Sequence, residues 1–406
     1  MNKEIALYFH IPFCLSKCSY CDFFSIPVLA ASPKKIIPDK YIDALCNELN
    51  YKLKNYGECF IKTIYIGGGT PSLLTVEQIK KLTCAIKKYP LAENFEFTFE
   101  MNPDDVSEVL IKALEECGIT RISLGVQSFC DTVLKSVHRR ADFKIITRAM
   151  QLLKTYWYKN LSVDLICGIP GETEKSLITG LESLVKAGIA HISLYSLCIE
   201  EETPLGKGII NGNISYNQDT SDLLWIKGRD YLIKSGYVQY EVSNFCLQGF
   251  ECVHNMVYWA HKDYLGFGAG ATGTLYNSDG SGLRTVNKND IDLYQNFWGD
   301  YSKVTQADAF QTACRAFEIE ELSVETSIFE YFMMGLRTNR GVSLREYESI
   351  FKAQMNSNIV KKLEAWQEKG LCIIKNEMSF KGEKDVRYIL SESGLLFLNK
   401  LLEDLI

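Results

Sequence analysis

The chain has 406 residues, 47% of them hydrophobic, which gives enough apolar surface for a large core and a length that fits two or three domains. A net charge of −6 offers no basic face to nucleic acid, and no apolar run approaches the roughly 18 residues of a membrane-spanning helix. The chain enters a strand pattern at once instead of a signal peptide, so the expectation is a cytoplasmic protein, with a dimer and a peripheral membrane contact left open.

Short apolar runs alternate with helical periodicity through the first 200 residues, which predicts repeated βα units around a parallel sheet. The six expected strands are Ala6–Pro12, Thr63–Gly69, Glu96–Asn102, Arg121–Gln127, Leu161–Ile166 and His191–Leu197. Polar or glycine-rich residues fall at their C-terminal ends, where α/β barrels build their sites. From Tyr237 the pattern shortens to strand-like pieces, Tyr237–Phe245 and Tyr264–Gly273, read as an extension of the barrel mouth, and a helical region starts near Val304. Beyond it, Ile328–Thr338 and Leu344–Phe351 flank a turn, and Leu371–Phe380 with Val386–Leu390 predict a two-stranded wing before a last helix. The expected units are 1–236, 237–305 and 306–406, the last a winged-helix-like domain. That domain holds 13 Lys/Arg against 16 Asp/Glu, which argues for a cap or docking module over a DNA binder.

Most of the fourteen cysteines are scattered singly, such as Cys46, Cys84 and Cys117, and read as reduced small hydrophobes. Cys14, Cys18 and Cys21 differ, because C-x-x-x-C-x-x-C delivers three thiols to one small site. Thiolates are the usual holders of iron–sulfur clusters, the full set is four, and Phe23 stands where a fourth is expected, leaving one iron open. Cys18-Ser-Tyr-Cys21 alone also fits a redox dithiol, and His10 beside the cysteines fits zinc, although neither accounts for Cys14. Ile64-Tyr-Ile-Gly67-Gly68-Gly69-Thr70 lacks the Lys-Ser/Thr ending of a phosphate loop and, taken alone, reads as a turn. Gly268-x-Gly270-x-x-Gly273 matches a dinucleotide fingerprint formally, but Thr274–Gly282 is turn-like where a helix is required, so it reads as a tight barrel-mouth loop.

The run Tyr8-x-His10-Ile-Pro-Phe-Cys14-x-x-x-Cys18-x-Tyr20-Cys21-Asp22-Phe23 resembles the opening of radical S-adenosylmethionine (SAM) proteins of the oxygen-independent coproporphyrinogen III oxidase group. The resemblance implies a partial (β/α)6 TIM-type barrel, a 4Fe-4S cluster on Cys14, Cys18 and Cys21, SAM on the open iron and an electron donor that reduces the cluster. It assigns Gly68, Gly69 and Thr70 to the SAM amino group and adds Tyr8, Glu100, Gln127, Arg139 and Asp164 to the cofactor pocket. Relatives more often show Gly-Arg where this chain has His138-Arg139-Arg140, so a one-residue slip would pass the role to Arg140.

His254-Asn-Met-Val-Tyr-Trp259 resembles the H-N-x-x-Y-W signature of the heme-chaperone branch of that group. It implies heme as cargo, with His254 on the iron, Tyr258 and Trp259 against the porphyrin and Asn255 bonding a propionate or orienting the ring. From composition alone, the same histidine reads as packed core. Thr272 stands where relatives commonly have histidine, which weakens or alters that site. The branch implies transfer of heme to an apoprotein such as a respiratory enzyme. The alternative is the oxidase, which removes carbon dioxide from coproporphyrinogen III, and a third reading is a radical SAM enzyme on another substrate. Phe23 in place of a cysteine and the His254 segment favour the chaperone.

Overall fold

The structure is a computed structural model that describes residues 3–28, 37–299, 316–378 and 384–405. Six strands, β1 (Glu4–Ile11), β2 (Phe60–Gly68), β3 (Leu91–Met101), β4 (Arg121–Gln127), β5 (Asn160–Cys167) and β6 (His191–Ser196), lie side by side in chain order, all parallel. Helices α1 (Asp39–Tyr56), α2 (Val76–Ile86), α3 (Glu108–Glu116), α4 (Phe143–Tyr156) and α5 (Glu174–Ala187) fall between them. In α1, Tyr41, Leu45, Leu49 and Leu53 recur every fourth residue and are buried, the stripe a helix needs to pack on a sheet. Thr75 and Gln78 close a capping box that fixes the start of α2.

Strand alternation explains why this barrel has a polar lumen. In β4, Ile122, Leu124 and Val126 are fully buried in the main apolar core, whereas the alternate positions are Arg121, Ser123, Gly125 and Gln127. The same period of two places Thr63 and Tyr65, then Glu96, Glu100, Asp164, His191 and Ser193, where they hydrogen-bond across the lumen.

The six-unit partial barrel is thus present, on a wider sheet than expected. Strand β7 (Tyr264–Phe267) pairs in parallel with β1, and β8 (Thr272–Tyr276), β9 (Gly282–Asn287) and β10 (Phe317–Leu322) continue the sheet antiparallel. The expected single run Tyr264–Gly273 breaks in two because Gly268 and Gly270 both take positive φ, 101° and 81°. The stretch Thr274–Gly282, read as a turn, contributes to both arms of a hairpin, and the run expected at Tyr237–Phe245 is two short strands, Val238–Gln239 and Asn244–Cys246. The helical start expected near Val304 lies outside the described residues.

Helix α6 (Gln218–Lys234) completes the helical layer, and α7 (Val253–Trp259) follows it. Part of the 237–305 segment does not extend the barrel mouth: α7 plugs the opposite, N-terminal end, where the N–H groups of Val253 and His254 donate to Glu96 at 3.1 and 2.9 Å. The physical reason is satisfaction of Glu96, a buried carboxylate that would otherwise face the barrel floor unpaired.

C-terminal helices α8 (Val324–Gly335), α9 (Leu344–Phe351) and α10 (Ser357–Glu368) pack with a three-stranded antiparallel sheet whose centre is Lys384–Leu390, in a winged-helix-like arrangement. It has its own core of Tyr331, Leu336, Leu363, Trp366 and Leu401, among others. Among the described residues, no helix is long and apolar enough to cross a membrane.

Candidate cluster and cofactor site

The C-terminal ends of the barrel strands open into a cavity of about 500 Å³ lined by Cys14, Cys18 and Cys21. The loop after β1 that carries them is pinned by its backbone: Cys21 N–H donates to Cys18 O at 3.2 Å, Ser19 N–H to Val137 O at 3.1 Å, and Leu205 N–H to Ser19 O at 2.9 Å.

Two donors reach the sulfurs. The Thr70 hydroxyl donates to Cys14 Sγ at 3.4 Å, and Arg139 Nη1 donates to Cys18 Sγ at 3.7 Å. Arg139 Nη2 donates to Asn102 Oδ1 at 2.7 Å and to the Gly125 carbonyl, and Asn102 Nδ2 donates to Thr70 Oγ1 at 3.2 Å. A continuous chain of donors therefore joins two of the three sulfurs. Burial pushes the Cys21 thiol up from its ordinary value.

This donor set fits a cluster better than its rivals. Among the described residues, no three His, Cys, Asp or Glu side chains close around a single ion as zinc requires, whereas a cubane takes one thiolate per iron and spreads its ligands more widely. His10 is not free to join them: its Nε2 pairs with the Phe24 carbonyl at 2.8 Å and its Nδ1 with Tyr8 Oη at 2.8 Å. Burial lowers the His10 pKa and keeps the ring neutral, so Nε2 is the donor and Tyr8 donates to Nδ1. Tyr8 is accordingly turned to His10 and is not among the residues that line the cavity.

The other expected pocket residues converge. Gly68, Gly69, Thr70, Glu100, Gln127, Arg139 and Asp164 all line the cavity. Gly68 has φ 114°, and a Cβ there would sit 2.6 Å from His10 Nδ1. Glu100 accepts from Tyr65 Oη at 2.7 Å and from Gly68 N–H at 3.0 Å. Burial still pushes its carboxyl up to about 7, with the Asp164 charge adding to the effect. Asp164 sits in a cradle of hydroxyls, accepting from Ser193 at 2.7 Å, Ser123 at 2.8 Å and Ser162 at 3.3 Å. Gln127 ends β4 with φ 69°, a conformation that costs a non-glycine residue free energy and that collects at functional sites. Arg139, and not Arg140, meets the cysteines, since Arg140 is ion-paired with Asp104 and lies 3.8 Å from Asp105.

Sequence reasoning overlooked Tyr65, Asn102, Ser123 and Ser193. The signal for Tyr65, Ser123 and Ser193 is the period of two, since they alternate with the core residues Ile64, Ile122 and Ile192, whereas Asn102 follows directly on the end of β3.

The His254 segment is elsewhere. None of His254, Asn255, Tyr258 and Trp259 lines the cluster cavity. His254 is 1% exposed, with Nδ1 2.8 Å from Thr63 Oγ1 and Nε2 2.7 Å from Tyr258 Oη. Burial holds its pKa down near 3, so the ring is neutral and both nitrogens are engaged. Its ring stacks on Tyr65 at 5.0 Å.

A barrel of this order with three cysteines over its C-terminal mouth defines a radical SAM protein, and the family model of the Radical SAM superfamily matches residues 8–184. That of the HemN C-terminal domain matches residues 322–378. Over its full length the chain superposes on 90% of coproporphyrinogen III oxidase (HemN) from Escherichia coli, a radical SAM enzyme, with TM-score 0.77 and 20% identity. It is 35% identical to heme chaperone HemW of Lactococcus lactis over 87% of this chain and 86% of that protein. Heme chaperone HemW of Buchnera aphidicola from Schizaphis graminum is 33% identical over 98% of this chain and 97% of that one. The chain belongs to the HemW family.

Proposed function

We propose that this chain is a heme chaperone that holds a 4Fe-4S cluster on Cys14, Cys18 and Cys21, binds SAM in the adjoining cavity, takes up heme and passes it to an apoprotein such as a respiratory enzyme. The observation that carries the cofactor part is the donor chain Thr70–Asn102–Arg139, whose ends meet Cys14 and Cys18 at the wall of a cavity that also contains Glu100, Gln127 and Asp164. Arg139 and Thr70 hold the thiolates; Glu100 and Asp164 offer carboxylate oxygens to ribose hydroxyls or an amine, and Gln127 offers an amide that both donates and accepts. Bound cluster and SAM supply one-electron chemistry once an electron donor reduces the cluster. The heme part rests on the family, whose named members are heme chaperones.

Phe23 favours this reading over the oxidase. Its side chain is 69% exposed and lines the cavity, so it gives the site an apolar rim where the oxidases usually place a cysteine. The test is anaerobic cluster reconstitution followed by heme titration and, in parallel, a coproporphyrinogen III assay with SAM and reductant. Stoichiometric heme uptake without decarboxylation is expected. Protoporphyrinogen formation without stable heme uptake would make the chain an oxidase.

A further inference from the structure

A second cavity, of about 950 Å³, lies at the opposite end of the barrel from the cluster, between the N-terminal ends of β1–β3, the C-terminal end of α7 with the residues after it, and the C-terminal end of α9. Its volume is near the upper end of the roughly 300–1,000 Å³ that holds cofactor-sized ligands. Ile5, Ala6, Val257 and Ile350 give it apolar walls, and Lys262 and Lys352 approach it from two different parts of the fold.

His261 also lines this cavity and is 5% exposed, yet neither ring nitrogen has a hydrogen-bond partner among the described residues. No other histidine is in that state. His10, His191 and His254 each have both nitrogens engaged, and His138 is exposed. Buried, unpaired imidazole is costly unless something completes its coordination.

The backbone adds an independent observation. His261 N–H donates to Tyr258 O at 3.1 Å and Lys262 N–H to Val257 O at 3.2 Å, the pattern of a Schellman cap that ends α7, with His261 at the left-handed position, φ 53°. Glycine or asparagine is the economical residue there. A histidine at that position spends backbone strain to present an imidazole.

We propose that His261 is the iron ligand of the heme cargo, with the porphyrin in this second cavity and its propionates directed to Lys262 and Lys352. The inference rests on the heme-chaperone reading above and relocates its heme from His254, on α7, to a histidine just past the C-terminal end of that helix. Burial, aided by Lys262 and Arg284, holds the His261 ring neutral near neutral pH, as ligation requires. Tyr276 covers the ring, centroid to centroid 3.8 Å, so heme entry requires it to move aside. Of the acidic residues in the lining, Glu4 lies 3.7 Å from Lys62 and Asp263 accepts from Tyr56 Oη at 2.8 Å, while Lys352 Nζ donates to the Ser349 carbonyl at 2.6 Å, a contact it would exchange for a propionate.

The experiment titrates ferric heme into the full-length, cluster-reconstituted chain, following the Soret band and, after reduction, the iron–histidine stretch by resonance Raman. His261→Asn suits the left-handed backbone and should lose the histidine-ligated signature with at least tenfold weaker heme binding, leaving cluster absorbance and SAM affinity unchanged. His254→Gln should keep the signature. The double change Lys262→Glu, Lys352→Glu should weaken heme several-fold without altering the ligand signature. If His261→Asn retains both signature and affinity while wild type binds heme, the site is wrong and the chaperone reading stands. If wild type binds no heme, both fall.

Discussion

The hydroxyl of Tyr65 donates to Glu100 at 2.7 Å while the Tyr65 ring stacks on His254 at 5.0 Å, so one side chain connects the wall of the cluster cavity with the helix that plugs the far end of the barrel. Glu100 is thereby held at one oxygen by Tyr65 and at the other by the Gly68 N–H.

Glu100 makes stability depend on pH. Its folded carboxyl titrates near 7, above the ordinary 4.5, so its contribution is fully present below about pH 4.5 and is lost as pH rises through 7. Glu100→Gln should flatten that decline and be more stable than wild type at pH 8 by on the order of 1–3 kcal/mol, with a smaller difference at pH 5. Urea unfolding of the cluster-free chain at both pH values measures this; an equal offset at the two pH values would refute it.

Arg139→Ala should weaken SAM binding at least tenfold and destabilise the cluster, because it removes the donor to Cys18 and breaks the link to Asn102. Arg140→Ala, whose guanidinium is already paired with Asp104, should change SAM affinity no more than about threefold. Equilibrium binding with the two variants side by side decides the question, and a reversed order would assign the role to Arg140.

Cys18→Ala should abolish the reconstituted cluster's absorbance and leave the far-ultraviolet circular dichroism unchanged. The apolar core of the barrel comprises residues such as Phe9, Leu45, Ile122 and Leu194, none of which depends on that thiol. Full cluster absorbance in the variant would remove Cys18 from the ligand set.

Gly68→Ala should destabilise the chain by about 2–4 kcal/mol, since a Cβ would meet the His10 ring at 2.6 Å on a backbone of φ 114°. Gly171→Ala, also at positive φ but with no neighbour within 4 Å, should cost less, about 1 kcal/mol. Denaturant midpoints of the two variants measure the difference, and equal losses would show that space at Gly68 is immaterial.

Much of this was legible beforehand because strand period and ligand chemistry are local. Arg121–Gln127 was bounded correctly from its apolar alternation, and the three cysteines lie in eight consecutive residues. Arg139 was placed in the pocket, but its partner Asn102 was not, because that contact spans 37 positions and is set by the neighbouring of β3 and β4. His254 shows the limit of a motif: its residue types suit heme, and only the packing of α7 reveals that its ring nitrogens are already engaged by Thr63 and Tyr258.

The parallel pairing of β7 with β1 carries a cost during synthesis. Strand β1 is made first, yet the neighbour that covers its outer edge, residues 264–267, emerges from the ribosome only after about 250 further residues. Until then an apolar edge strand with unpaired N–H and C=O groups is open to wrong partners, and closing so long a loop is slow. The last step in completing the barrel therefore depends on the same stretch of chain that carries α7 and His261, so a nascent chain stalled before residue 264 should be the aggregation-prone species.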